Sequence, residues 1–542
     1  MSTIEDLIRR SDKLKQDRKI WDQNIGAPIA EIIRPLRNEL RGPIQADTRR
    51  DRGVYDGTAI MANQNLAAGL YGTFVNPSDM WFQYSPLDDE LASRVRVKHW
   101  CEIETRRTLK SATPAFSEFY SQVVSYFLDL GAFGNAVFSS ELNSDMTGYI
   151  DVCRPLSECC WDVDGNNRVN AVYRRWMMPA RAAVLEYGEK LSAKTRNLAE
   201  KEPDRPVDLL HAVMPAGDSL AREAFKSNMP IVSIYVEVEH KHQISKGGYW
   251  DFPYDIARWE VAAGEKMGRG CGELSLGDAK TANVATRDNI KAGNRAADPP
   301  WGAPDEGVIS AIRVAPGKIS YGAVNQQGKQ LLMPLLNGAN LPWSIEMADK
   351  IKEAVKDFFY FSVLQLVGRT GMTATEVLEV REERLRLLAP YGGRIQNDFL
   401  CPWSLRRFNM HKRLGLISPP PPELVNRSIQ VAFTSPFALA QKSAAANSTL
   451  RTIGAAGEIA KFDPDVLDRL DGDISLQVIQ EGFGAPAKIL RTDEATAQRR
   501  AQRQQAQAAA ASAAIADTGA GAAEKGAGAL AKLRQAAQQN AA

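Results

Sequence analysis

Residues Trp343 to Pro390 read WSIEMADKIKEAVKDFFYFSVLQLVGRTGMTATEVLEVREERLRLLAP, and the rest of the chain is organised around them. The pattern is helix, loop, helix. Ser344 is placed to cap the first helix, and Glu346 lies in the first turn, where the helix dipole favours negative charge. Ile345, Ala348, Ile351, Val355, Phe358, Phe359 and Ser362 recur at helical spacing on one face, while Glu346, Asp349, Lys350, Lys352, Glu353 and Lys356 cover the other. From Ser344 to Leu366 such a helix is roughly 35 Å long. Gly368, Arg369, Thr370, Gly371 and Met372 follow, a loop whose two glycines let the backbone bend or move. Thr373 and Glu376 make a capping box that opens the second helix. Its stripe is Ala374, Val377, Leu378, Arg381, Leu385 and Leu388, and it is expected to stop before Pro390. Taken alone, this is an αα-hairpin that any helical domain could contain.

A chain of 542 residues holds several domains, since single cores rarely exceed roughly 250–300 residues. Its hydrophobic content of 44% and charged content of 24% are those of a globular protein. No apolar run approaches the roughly 20 residues of a membrane span. The N-terminus is charged and amphipathic without a signal-peptide core, so the chain is expected to stay in the cytosol where it is made. Six cysteines form no C-x-x-C and have no histidine spaced to complete a zinc site. Cys159 and Cys160 are expected on a buried strand, reduced. His240 and His242 share one side of an expected strand; a surface pair is the plain reading and a metal the sharper one. Lysine and arginine number 67 against 65 aspartate and glutamate. That balance argues against a tight duplex binder but not against a channel through which DNA slides.

Taken in order, the expected elements make an α+β chain. Helices are expected over 3–40, broken at Gly26 and Pro28, then over Thr58–Gly72, 88–112 and 114–130, the last ending at Gly131. Short strands alternate with turns from Ala136 to Met178, with a hairpin at Asp164-Gly165. A helix over Ala180–Leu191 and strands over 209–213 and 230–243 follow. Glu273 to Ala297 reads as a helix with little apolar surface, poor as a core element and suited to packing beside copies of itself. Its preceding glycines, Gly268, Gly270 and Gly272, fit no nucleotide-binding loop, and no G-x-x-x-x-G-K-[ST] occurs. Four prolines at 419–422 stiffen the chain after a helix over 394–414. A strand over 428–433 and helices over 438–461 and 464–470 complete the pattern. From Asp493 the composition falls to Ala, Gln and Arg, and residues 497–542 hold six basic and two acidic residues.

Four separated signatures carry a resemblance. The first is T-A-x-x-A-x-x-x-L-A-A-G-L-x-G from Thr58 to Gly72, followed by Pro77, Trp81 and Phe82. The second runs through Gly248-Tyr249, Arg258-Trp259, Gly264-Glu265 and Gly268-Arg269-Gly270, with Asp298-Pro299-Pro300 after it. The third is Met372 to Val377 with Glu383 to Leu388, and the fourth is Asp463 to Asp468 with Phe483 to Arg491. Together, over roughly residues 20–495, they resemble the portal proteins, or head-to-tail connectors, of short-tailed phages. Met267 and Cys271 depart from that family's Tyr and Pro.

The resemblance implies a portal fold. Residues 1–267 are the wing, 268–299 the first stem helix, 300–342 the clip and 343–367 the second stem helix. Residues 368–372 are a tunnel loop, 373–435 a long helix and wing return, and 436–495 a crown; 496–542 are an Ala/Gln-rich tail. It implies a ring, dodecameric by family habit, at one capsid vertex of the virion. The terminase motor packages double-stranded DNA through this ring, and the genome leaves by the same route. Implied partners are the terminase large subunit, a tail adaptor, and capsid and scaffold proteins, with no membrane. No cofactor, metal or catalytic set is implied, and Gly368, Arg369, Thr370, Gly371 and Met372 are the residues expected to meet DNA. The competing readings are another structural virion protein, such as a tail adaptor, and a DNA-packaging enzyme.

Overall fold

The computed structural model describes residues 3–35, 53–143, 145–224, 228–297, 301–302, 327, 333–334, 341–361, 388, 390–425, 427–433, 436–462, 465, 469–483, 485, 489 and 495–510. It divides into two units, one of residues 1–82, 106–416 and 433–438, the other of 83–105, 417–432 and 439–542. The chain is a mixture of helix and sheet, the α+β class expected.

In the second unit, β1 (Phe82–Pro86) pairs with β12 (Ile429–Phe433). Trp100 Nε1 donates to the Ser418 carbonyl at 3.1 Å, and the Ser418 amide donates to Glu104 Oε1 at 3.0 Å. Helices Pro436–Ile459 and Gly472–Gly482 follow.

In the first unit, β2 (Asn135–Leu142), β3 (Tyr149–Arg154) and β9 (Tyr254–Arg258) form one antiparallel sheet in the order β3-β2-β9. A second has the order β4-β5-β6-β7-β8, from β4 (Cys159–Val163), β5 (Val169–Pro179), β6 (Pro206–Pro215), β7 (Ile231–Glu237) and β8 (His242–Tyr249). β6 is its middle strand and reads VDLLHAVM, mostly apolar on both faces apart from Asp208 and His211. Leu210, Ala212 and Met214 meet Leu7 and Leu14 of helix Thr3–Trp21 on one side. Val207 and Leu209 meet Ala180, Ala183 and Leu191 on the other. The aromatic helix Phe119–Phe133 is core, as its composition requires: Phe119 stacks on Trp403 at 4.1 Å, and Tyr126 lies 4.2 Å from Phe399.

Several expectations are corrected. Helix Thr3–Trp21 is not broken at Gly26 and Pro28. It passes through a wider turn at Asp22–Gly26 into Ala27–Ile32, and that turn absorbs the missing proline N–H. Helix Phe119–Phe133 does not end at Gly131; Gly134, at φ +69°, ends it. The helix from Ala180 ends at Tyr187, where Gly188 turns the chain. The strand expected over 230–243 is two strands around a turn, with Lys241 at φ +51°. His240 therefore sits in the turn, 3.7 Å from Glu237, while His242 begins β8 with Nε2 3.1 Å from the Lys190 carbonyl; they do not share a strand face. Pro390 is itself helical and leads through Gln396–Leu400 into helix Cys401–Arg413.

His211 on β6 is fully enclosed, with Nδ1 2.9 Å from the Tyr254 hydroxyl, Nε2 2.9 Å from that of Ser233, and its ring stacked on Tyr235 at 4.0 Å. Burial, with Arg174 and Arg154 nearby, lowers its pKa to about 3. Below pH ~6.5 the unfolded chain gains a proton here that the fold refuses until about pH 3, so stability falls as pH falls through that window. His411, lowered to about 4, adds in the same sense. The slope from His211 is at most about 1.4 kcal/mol per pH unit. In His211→Gln the difference between denaturation midpoints at pH 7 and pH 4.5 should narrow accordingly; an unchanged difference contradicts this.

Candidate functional site: a helix pair on a glycine joint

Helices Leu276–Ala297 and Leu341–Phe358 flank the segment expected as the clip, and they pack against each other. Ser344 Oγ donates to Asn289 Oδ1 at 2.6 Å toward one end of the pair. Toward the other, Leu274, Ala354, Asp357 and Phe358 line an open cavity of about 410 Å³ with Trp259, Cys271, Tyr360 and Tyr391. The helices therefore run antiparallel. Beyond them, β10 (Trp301–Gly302) pairs antiparallel with β11 (Met333–Pro334).

The buried side is narrow. Ala279 and Ala282 on one helix, and Ala348, Val355 and Phe359 on or just past the other, are enclosed. Ile345, at 49%, and Phe358, at 38%, are exposed, against the expectation that they lie on a buried stripe. Ser344 is not the cap either. The helix begins at Leu341 with Pro342 in its first turn, where a missing N–H costs nothing. The helix ends at Phe358, not Leu366; Tyr360, at φ +55°, breaks it.

Asp56 ties the pair to the start of helix Thr58–Phe74. Lys352 Nζ lies 2.8 Å from Asp56 Oδ2, Thr286 Oγ1 donates to the same oxygen at 3.1 Å, and the Thr58 amide donates to Oδ1 at 2.8 Å. Burial alone would raise the Asp56 pKa, but the Lys352 ammonium and the Thr58 donors outweigh it and hold it below the usual value. Asn283 completes the joint: its Oδ1 accepts from the Tyr55 amide at 2.6 Å, and its Nδ2 donates to the Gly53 carbonyl at 3.0 Å.

The glycines that precede the pair pack backbone against backbone. Asn135 Nδ2 donates to the Gly268 carbonyl at 2.8 Å, and the Gly268 amide returns a bond to Asn135 Oδ1 at 2.7 Å. A β-carbon on Gly270 would overlap the Gly134 nitrogen, and one on Gly272 the Ala132 carbonyl oxygen. These glycines allow chain crossing, and the space a phosphate would need is filled by protein. The joint fixes where helix Cys271–Leu274, and then the pair, leave the two sheets. Sequence reading missed Asn135 and Asp56. Their only signals are a polar residue directly after a helix-ending glycine and an acid two residues before a helix start.

Gly368, Arg369, Thr370, Gly371 and Met372 lie outside the described residues, as do the capping box at Thr373 and Glu376 and residues 303–326 of the expected clip. Among the described residues no three or more His, Cys, Asp or Glu gather as a metal site. Nor is any helix there long and apolar enough to cross a membrane.

The pair is largely polar, with Val284, Ile290, Ile345 and Phe358 left exposed along it. The chain belongs to the bacteriophage head-to-tail connecting proteins, whose family model matches residues 5–490. It is 26% identical over 499 residues to the portal protein of Salmonella phage epsilon15, covering 90% of this chain and 89% of that one. It is 28% identical over 515 residues to the probable portal protein of Bordetella phage BPP-1, covering 92% and 90%.

Proposed function

We infer that this chain is the portal subunit of a phage particle, forming a ring at one capsid vertex through which DNA enters during packaging and leaves at ejection. The observation that carries this is the connector-family match over residues 5–490, almost the whole chain. It is a structural part and not an enzyme. The terminase motor, a tail adaptor and the capsid and scaffold proteins are its proposed partners, and twelve its proposed subunit number. In this reading residues 1–267 are the wing and 268–299 and 343–367 the stem helices. Residues 300–342 are the clip, 373–435 the long helix and wing return, 436–495 the crown and 496–542 the tail. The antiparallel pair of long helices supports the stem assignment. Capsids made without the chain should contain no DNA; capsids filled to the parental level without it would overturn the reading.

Residues 368–372 are the proposed DNA-facing loop. Arg369 is its one charge, so a ring sets one cation per subunit at a single level, enough to meet phosphates without a second basic tier to hold them. Arg369→Glu and Gly371→Pro should each assemble normally and reduce the DNA packaged per unit time at least about tenfold, the effect of a barrier raised by ~1.4 kcal/mol. Parental packaging rates in both variants would remove the loop from the channel.

A further inference from the structure

Each of the two long helices carries a row of exposed or half-exposed like charge, and the rows are opposite in sign; beside the acidic row stands an exposed Glu346–Lys350 pair at 2.9 Å. On Leu276–Ala297, Lys280, Arg287, Lys291 and Arg295 follow helical spacing, with half-exposed Val284 between them. On Leu341–Phe358, Asp349, Glu353 and Asp357 stand four residues apart, bordered by Ile345. Like charges at this spacing weaken a helix standing alone. Among the described residues Lys280, Arg295, Asp349, Glu353 and Asp357 make no ion pair. Arg287 and Lys291 reach only exposed Asp288, at 3.0 and 4.0 Å.

The position of the rows decides what meets them. At 3.6 residues per turn each row lies roughly 140° round from the buried side of its helix, in the same rotational sense. Because the helices are antiparallel, that shared sense puts the rows on opposite edges of one face. They point away from each other within a chain and toward each other between chains set side by side. A head-to-tail contact that closes into a ring needs two different, complementary edges of this kind.

We propose that the basic row Lys280, Arg287, Lys291 and Arg295 of one copy docks against the acidic row Asp349, Glu353 and Asp357 of the next, with Val284 and Ile345 covered between them. This rests on the ring reading and assigns it a specific interface. Exposed pairs of this type add little strength singly, but they fix register and exclude wrong partners, because like-charge juxtaposition across an interface is strongly unfavourable.

The test uses the purified full chain and mass photometry. One variant carries Lys280→Glu, Arg287→Glu, Lys291→Glu and Arg295→Glu; another carries Asp349→Lys, Glu353→Lys and Asp357→Lys. Each alone should need at least about tenfold more protein than the parent to form rings, a change of ~1.4 kcal/mol. Mixed in equal amounts they should assemble at the parental concentration, because every acidic edge then meets a basic one. A chain carrying all seven reversals should also form rings. The milder single changes Lys291→Glu and Glu353→Lys should show a smaller loss in the same direction, and the same rescue on mixing. Rings from either reversed variant alone at the parental concentration would overturn the interface and leave the ring standing; this is the result expected if the acidic row faces the channel instead. Failure of the mixture to assemble would also overturn it. A parent that never forms rings would overturn the ring reading itself.

Discussion

Arg407→Ala should destabilise the fold by about 3–5 kcal/mol, the cost of leaving a buried charge without its partner. Arg407 and Asp151 are both fully enclosed, with Arg407 Nη2 2.5 Å from Asp151 Oδ2. The guanidinium lies 3.6 Å from the Tyr149 ring and also donates to Ser140 Oγ at 3.2 Å. Asp151 accepts from the Ser117 hydroxyl as well. Next to them Arg406 pairs with Asp255, whose pKa burial pushes up to about 6 against the pull of that guanidinium. These two pairs join helix Cys401–Arg413 to β3 and β9, so the chain after the expected long helix is bound to the first sheet through charge. Removing Arg407 leaves Asp151 with the Ser117 hydroxyl and the Trp403 indole N–H, at 3.4 Å, and no cation. Arg407→Lys should lose less, keeping the charge but not the planar fork. Removing both groups, in Arg407→Ala with Asp151→Ala, should cost less than the sum of the single changes. Denaturant titration measures all three, and a loss below about 1 kcal/mol in Arg407→Ala contradicts the assignment.

Gly272→Ala should cost about 3 kcal/mol or more, the upper end of overpacking, because what the new methyl meets is backbone. Ala132 O, C and Cα all crowd the site, and none is the far end of a flexible side chain. Relief requires moving helix Phe119–Phe133 or the start of Cys271–Leu274, and so the base of the helix pair. Gly293→Ala is the contrast. It lies within helix Leu276–Ala297 with nothing near its would-be β-carbon, and there the better helix former should add up to about 1 kcal/mol. Equal thermal midpoints for the two variants would show that the joint is loose.

The elements legible in the sequence are those that bury a full face inside one chain. Helix Thr58–Phe74 and the aromatic helix Phe119–Phe133 were readable because their periodicity is the periodicity of the core. The hairpin at Asp164-Gly165 was readable from turn chemistry: Asp164 Oδ1 accepts from the amides of Asn166 and Arg168. Helix Leu341–Phe358 was harder. Its apolar pattern mixes residues buried in the chain, Ala348 and Val355, with Ile345 and Phe358, which the chain leaves open. Periodicity reports that a face avoids water and not what covers it. Ser344 has the chemistry of a cap, but Pro342 is the stronger signal for a first turn, and the helix begins at Leu341. The glycines at 268, 270 and 272 serve a backbone crossing. Their partners, 131–135, lie more than a hundred residues earlier, and no local pattern announces such a crossing.

Negative-stain imaging of the purified full chain tests the portal reading most directly. Closed rings with a central hole, twelvefold in class averages, are expected over a range of salt concentrations. Fields of monomers or dimers under every condition would contradict it.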